Sequence, residues 1–253
     1  MPALLELHGV TKRFGPVEAL RGVDLQIGQS EALGLIGDNG AGKSTLLKIL
    51  SGVYPPTAGS VRVDDKEVHF RSPLDARALG IEMIYQDLAL ANDLDVASNI
   101  FLGRELKRRI GPFTILDRRA MAREASRVLG ELGASVGASR NVGLLSGGER
   151  QLVAVARALQ FQPRLFLMDE PTAALSVEKV HVLLHLIERL KERGVSILLI
   201  SHRFTDVLHV CDRVAVLRQG RLAGEVAPSG QSTEATMARM HALMTGEDVS
   251  EAA

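Results

Sequence analysis

The chain has 253 residues, 46% of them apolar, and its 30 Lys plus Arg are balanced by 30 Asp plus Glu. That length suits one large domain or a core with a subordinate lobe, and the apolar share is enough to bury a core. A formal charge of zero lacks the basic excess of a nucleic-acid binder, and the single cysteine, Cys211, excludes an internal disulfide or a cysteine-built zinc set and fits a reducing compartment.

In chain order, the first residues, MPALLELHGV, show no basic region followed by an apolar stretch, so no secretory leader is expected. Leu4–Val10 and Val17–Ile27 read as strands joined by a turn at Gly15-Pro16, and Val61–Phe70 as a further pair turning at Asp64-Asp65. Together they predict an antiparallel patch. Glu31–Gly37 (EALGLIG) is a short apolar run, hence a buried strand, and Lys43–Leu50 is the helix after it. From about residue 89 the pattern turns helical: Met121, Ala125, Val128, Leu129 and Leu132 keep helical spacing, with Gly133 as a stop. Lys107, Arg108 and Arg109 read as a solvated loop.

Leu165–Met168 and Ser196–Ile200 are further apolar strands. The helix between them, Val177–Arg193, puts Val180, Leu183, Leu184, Ile187 and Leu190 on one face and is ended by Gly194. Runs apolar on both faces indicate a parallel α/β sheet. The tail from Pro228 is short, polar and partly helical. No run of about 18 apolar residues occurs, so no bilayer-spanning helix is expected and a membrane role needs another chain.

Three motifs carry chemistry. Gly37-Asp38-Asn39-Gly40-Ala41-Gly42-Lys43-Ser44-Thr45 follows a predicted strand and opens a helix, the context a phosphate-binding loop requires. Its glycines let backbone N–H groups curl around phosphate oxygens, the helix end adds positive potential, Lys43 reaches the outer phosphates, and Ser44 offers a hydroxyl to Mg²⁺. Leu165–Met168 then delivers Asp169 and Glu170 at a strand's C-terminal end. Asp169 suits a Mg²⁺-organising carboxylate, and Glu170 is placed to polarise water.

Ser146-Gly147-Gly148-Glu149 is an S-x-x-E capping box ahead of a helix over Arg150–Gln160, with Leu152, Val155, Ala156 and Leu159 inward. A cap alone needs no glycines, each of which costs about 1 kcal/mol against Ala within a helix. They leave the first turn's N–H groups bare for an anion, without a lysine of its own.

A phosphate loop, LSGGERQ, LFLMDEP and an ISH strand end, in that order, resemble the ABC ATPase family from about Leu5 to Val226. The resemblance implies an α/β phosphate-loop NTPase fold: a mostly parallel sheet, an antiparallel β patch and an inserted helical lobe. It divides the chain into a catalytic core (residues 1–88 and 155–227), a helical lobe with the signature (89–154) and a short tail (228–253). It implies ATP and Mg²⁺ as cofactors and a head-to-tail homodimer. In that dimer the signature residues Ser146, Gly147, Gly148 and Glu149 of one subunit close on ATP held by the phosphate loop of the other.

Residue by residue, Gln86 matches the glutamine that meets Mg²⁺ and the attacking water, and His202 the histidine that hydrogen-bonds the γ-phosphate. Phe14 matches the aromatic that stacks on adenine. After Pro171-Thr172-Ala173-Ala174-Leu175 the family commonly has Asp, where this chain has Ser176, which puts the coupling between the two sites in question. The strings GDNGAGKSTLLKILSGVYPPTAGSV and SPLDARALGIEMIYQDLALANDLDVASNIFLGRE are similar to ATPase subunits of monosaccharide importers. That likeness implies membrane permease partners, an extracytoplasmic sugar-binding protein, a peripheral position on the cytoplasmic face of the inner membrane, and no nucleic acid. Another ABC transporter class is the alternative, and a soluble ABC ATPase acting on DNA or ribosomes a more distant one. In either transporter reading the resemblance places the groove for a permease helix along Asp87–Asp95, with Leu88, Leu90 and Leu94 as its apolar floor; packing of these leucines into the helical lobe's own core is the alternative.

Overall fold

The computed structural model describes residues 3–84, 88–172, 175–228 and 232–247. They fall into two compact units: Met1–Met83 with Pro163–Ala173 and Ile187–Ala253, and Ile84–Gln162 with Ala174–Leu186.

The first unit holds two sheets. Strands β1 (Ala3–Phe14) and β2 (Val17–Gly28) form a long antiparallel ribbon turning at Gly15, and β4 (Ala58–Val63) and β5 (Lys66–Val68) complete a four-stranded sheet in the order β2-β1-β4-β5. The expected patch is there, its first two strands extending past the predicted bounds to 12 residues each. Asp64 and Asp65 both take positive φ (48° and 60°), the paired left-handed turn that a two-residue hairpin needs and that Asp tolerates.

The second sheet runs β12-β11-β3-β10-β9-β6. Its centre is β3 (Ala32–Ile36), β10 (Ser196–Ile200) and β9 (Leu165–Asp169), mutually parallel, with β11 (Arg213–Arg218) parallel on the far side of β3. Every residue of β3 and β10 is buried, which is why those runs show no alternation. β6 (Ile81–Ile84) lies at one edge, and β12 (Arg221–Val226) pairs antiparallel with β11 at the other. The crossover from β9 to β10 is α6 (Val177–Glu192), with Val180, Leu183, Leu184, Ile187 and Leu190 all buried and Gly194 at φ 84° ending the turn.

Helix α1 (Lys43–Leu50) leaves the end of β3, while α2 (Pro73–Ala78) and α7 (Phe204–Val210) are short connectors. The tail is more ordered than its composition suggests. Ser232 caps α8 (Thr233–Thr245), which packs on β11 and β12 through buried Thr236 and Met240.

The second unit carries α3 (Val96–Ile100), α4 (Arg118–Glu131), a 3₁₀ turn (Val142–Leu144), α5 (Gly147–Leu159) and the first part of α6. The α4 face is as expected: Met121, Ala125, Val128, Leu129 and Leu132 are buried, and Gly133 sits at φ 72°. Two expectations are corrected. The segment is not helical throughout, because β7 (Lys107–Ile110) and β8 (Phe113–Leu116) form a hairpin between α3 and α4, so the basic triplet is strand rather than loop. Helix α5 begins three residues earlier than Arg150, since the capping box makes Gly147 its first residue. Leu152 and Leu159 are only half-buried, while Val153, Ala154 and Ala158 join Val155 and Ala156 inside.

Candidate functional site

β3 ends in Ile36, and the chain then passes through Gly37–Gly42 before α1 begins at Lys43. Two glycines there are required by geometry. Gly37 has φ 149° and a Cβ would stand 2.1 Å from the Leu217 carbonyl; Gly42, the N-cap, has φ 108° and a Cβ would stand 2.6 Å from the Ala19 carbonyl. Gly40 also has positive φ but faces open space. Ala19 of β2 and Leu217 of β11 crowd the loop, and the turn after β11 holds it from behind: the Gly220 amide donates to the Ala41 carbonyl at 2.9 Å.

Asp38, Asn39 and Gly40 are exposed, Ala41 is buried, and Thr45 is half-buried in the first turn of α1. The Lys43 ammonium lies within the loop, donating to the carbonyls of Gly37 (2.6 Å) and Asp38 (2.9 Å). Burial pushes its pKa below the ordinary 10.5, against the pull of Glu170, Asp169 and Asp38.

β9 lies one strand from β3 across β10, and it brings its last residue to the same end of the sheet. The Ser44 hydroxyl donates to Asp169 Oδ1 at 3.4 Å, although 125 residues separate them. Burial raises the Asp169 pKa above the usual carboxylate value. The Ser44 hydrogen bond opposes that shift and the neighbouring Glu170 adds to it.

Glu170 takes a left-handed backbone (φ 49°) and its amide donates to the Ile200 carbonyl at 3.0 Å. A non-glycine residue in that region costs about 1 kcal/mol, a cost the strand ladder holds in place. The turn swings the Glu170 carboxylate to within 3.4 Å of His202 Nδ1, just past the end of β10. Phosphate loop, Asp169, Glu170 and His202 thus converge at the C-terminal ends of parallel strands, where α/β sheets place ligands.

Phe14, at the end of β1, is 41% exposed, a ring on the surface of the first unit. Sequence reading missed its support. Tyr54 meets it edge to face at 5.3 Å, and the Lys12 ammonium, held by the Pro55 carbonyl at 2.6 Å, lies 5.2 Å from the Phe14 centroid. The Y-P-P after α1 was the available signal. Gln86 lies outside the described residues.

In the second unit the signature segment is a complete capping box. Ser146 Oγ accepts from the Glu149 amide at 3.4 Å, and Glu149 Oε2 accepts from the Ser146 amide at 2.7 Å. Glu149 Oε1 takes a further bond from Arg140 at 2.9 Å, so both carboxylate oxygens are engaged in shaping the helix end, and the Ser146 bonds hold its pKa below the carboxylate norm. Gly147 is exposed with nothing within 4 Å of a would-be Cβ; at Gly148 a Cβ would meet the flexible Lys179 side chain. Ser176, exposed, begins α6, its carbonyl accepting from the Lys179 and Val180 amides at 2.9 and 3.0 Å.

A phosphate loop on a parallel sheet with an acidic strand end defines a phosphate-loop nucleotide-binding protein. The ABC transporter family model matches residues 20–173, and the chain belongs to that family. It is 45% identical over 251 residues to a ribose import ATP-binding protein of Rubrobacter xylanophilus, covering 99% of this chain and 48% of that protein. Over 223 residues it is 47% identical to a xylose/arabinose import ATP-binding protein of Sulfolobus acidocaldarius, covering 88% and 87%. The chain thus spans about half the length of the ribose-import relatives it matches. Among solved structures, the dimeric post-hydrolysis state of the ATP-binding cassette MJ0796, bound to ADP and phosphate, superposes with a TM-score of 0.75 at 26% identity, covering 90% of this chain and all of that one.

Proposed function

We propose that this chain is the ATP-hydrolysing subunit of an importer for a monosaccharide, working on the cytoplasmic face of the membrane against permease subunits. The observation that carries the reading is the convergence of Lys43, Ser44, Asp169, Glu170 and His202 at one end of the sheet. In this reading the Gly37–Thr45 backbone and Lys43 bind the β- and γ-phosphates of ATP, and adenine stacks on Phe14.

The donor set fits Mg²⁺. Ser44 Oγ and Asp169 are hard oxygens side by side, and the carboxylate carries a desolvation cost that a cation relieves. An ion of this kind takes its remaining ligands from phosphates and water. Ser44 and Asp169 would hold it, with Gln86 a further ligand by the family resemblance alone, and the bound ion would neutralise phosphate charge. Glu170 takes the proton of the attacking water, and His202, steadied by Glu170, donates to the γ-phosphate.

Gly147 and Gly148 present bare N–H groups, and Ser146 its hydroxyl, to the γ-phosphate held by a second copy, with Glu149 acting through the cap, where it accepts the Ser146 amide. The dimeric cassette among the structural relatives supports dimerisation; in this reading the two copies meet head to tail around two ATP sites. Among the described residues no helix is long and apolar enough to cross a membrane, consistent with permease partners supplying that part. The names of the relatives support a pentose or similar sugar, and in this reading an extracytoplasmic binding protein delivers it.

The test is phosphate release from Mg-ATP by the purified chain and its Glu170→Gln variant, together with uptake of labelled ribose, xylose and arabinose in cells lacking the gene. Turnover by the parent, a loss of about 10²-fold to 10⁴-fold in the variant with ATP binding kept, and uptake of one sugar restored by the parent are expected. Undiminished turnover in the variant overturns the chemical assignment.

A further inference from the structure

Among the described residues, the β7–β8 hairpin stands uncovered. All eight of its strand residues are exposed, including Phe113 (71%) and Ile110 (50%), which flank the Gly111-Pro112 turn. A two-stranded ribbon standing alone is marginal in water, so side chains of this kind call for a surface. The register is Lys107–Leu116, Arg108–Ile115, Arg109–Thr114 and Ile110–Phe113. Directly opposed residues share a face. One face therefore carries Arg108 with three apolar side chains, and the other Lys107 and Arg109 with Leu116.

No acidic residue lies between Leu106 and Leu116, and the nearest, Glu105 and Asp117, are engaged by the amides of Gly103 and Ala120. The tip is apolar, and the three cations follow one to three residues behind it. At about 3.4 Å per strand residue that is roughly 3–10 Å, the depth separating acyl chains from headgroups at a bilayer surface.

We propose that this hairpin dips into the headgroup layer of an anionic membrane, Ile110 and Phe113 entering the acyl boundary and Lys107, Arg108 and Arg109 meeting lipid phosphates. The inference draws on the reading that the chain works at a membrane, but not on its ATPase chemistry. A lipid surface suits the ribbon better than a protein groove because apolar and basic side chains stand on both faces. A groove takes one face, whereas a fluid anionic leaflet takes both. Each cation at such a surface raises affinity about fivefold, so three contribute on the order of a hundredfold, in a salt-sensitive manner.

The experiment is co-sedimentation of the purified full chain with vesicles of phosphatidylcholine alone or with about one-third phosphatidylglycerol. Two variants accompany it, Ile110→Ser with Phe113→Ser, and Lys107→Ser with Arg108→Ser and Arg109→Ser. The parent should bind anionic vesicles at least about tenfold better than neutral ones, and each variant should lose about tenfold or more. Both variants should melt like the parent and hydrolyse Mg-ATP within about twofold of it, because exposed side chains far from the phosphate loop in sequence are changed. Equal binding to both vesicle types, or variants that bind like the parent, overturns the proposal. So does loss of permease-stimulated activity in lipid-free detergent with vesicle binding unchanged, which would make the covering partner a protein. An inactive parent that still binds anionic vesicles would instead sink the ATPase reading and leave this one standing.

Discussion

Asp169 sits in an arrangement that is unfavourable to it until something positive arrives. Burial raises its pKa, so ionised Asp169 lowers the stability of the nucleotide-free chain. The folded form holds the proton more tightly than the unfolded one, and stability is therefore lost as pH rises from the ordinary value of 3.8 through the raised one. Asp169→Asn should raise the melting midpoint at pH 7, with the gain shrinking toward acid pH, while Mg-dependent turnover disappears. A midpoint unchanged or lowered at pH 7 would mean that Ser44 and Lys43 outweigh the desolvation. Lys43 has the opposite sign, a cation held by the loop's own carbonyls. Lys43→Ala should lower ATP turnover at least about a hundredfold, the scale for losing one charge-stabilising donor, and phosphate release at saturating Mg-ATP checks it.

At the scale of the element, the glycines at the N-terminal ends of α1 and α5 differ in what they protect. Gly42 sits at φ 108° against the Ala19 carbonyl, so Gly42→Ala combines backbone strain with a clash and should destabilise the fold by about 2 kcal/mol or more. Gly40→Ala, with positive φ but open space, should cost about 1 kcal/mol. Gly147 has neither constraint. Gly147→Ala should leave the melting midpoint within about 0.5 kcal/mol of the parent, yet reduce hydrolysis if its bare N–H faces a partner's phosphate. Denaturant unfolding paired with an ATPase assay separates the three. A stable, fully active Gly147→Ala would remove the signature helix from the nucleotide site.

For the whole molecule, the proposed importer role asks how hydrolysis would reach a permease. Arg157 donates to the carbonyls of Leu88 and Ala89, both at 2.8 Å, and Asn99 brackets the same stretch through the Ala91 amide and carbonyl, so the segment from Leu88 to Ala91 is fastened to its unit. Along it Leu88 and Leu90 are half-buried and Leu94 is exposed. A helix docking there would use that apolar edge. Leu94→Glu should therefore melt like the parent but lose both sugar uptake and stimulation of the ATPase by the permease. Leu90→Glu should show the same functional loss, with a midpoint drop limited to about 1–2 kcal/mol because the side chain keeps a route to solvent. A larger loss would make Leu90 a core residue.

Local chemistry was readable without coordinates wherever it is written in contiguous residues. The phosphate loop, the acidic strand end, the capping box and the buried faces of α4 and α6 follow from spacing and residue type, because each depends on neighbours within one or two turns. Other features depended on distant segments meeting. The 3.4 Å approach of Ser44 to Asp169 spans 125 residues and is set by strand order. The left-handed turn at Glu170 is imposed by its bond to Ile200 on the next strand. The Phe14–Tyr54 contact needs the β1 end brought beside the segment after α1. The hairpin at Lys107–Leu116 was hidden for another reason: its apolar residues face solvent, so the burial pattern that reveals a strand is missing. Residue order reports what a segment buries; only the folded chain reports which distant segment it meets and which apolar faces are left uncovered.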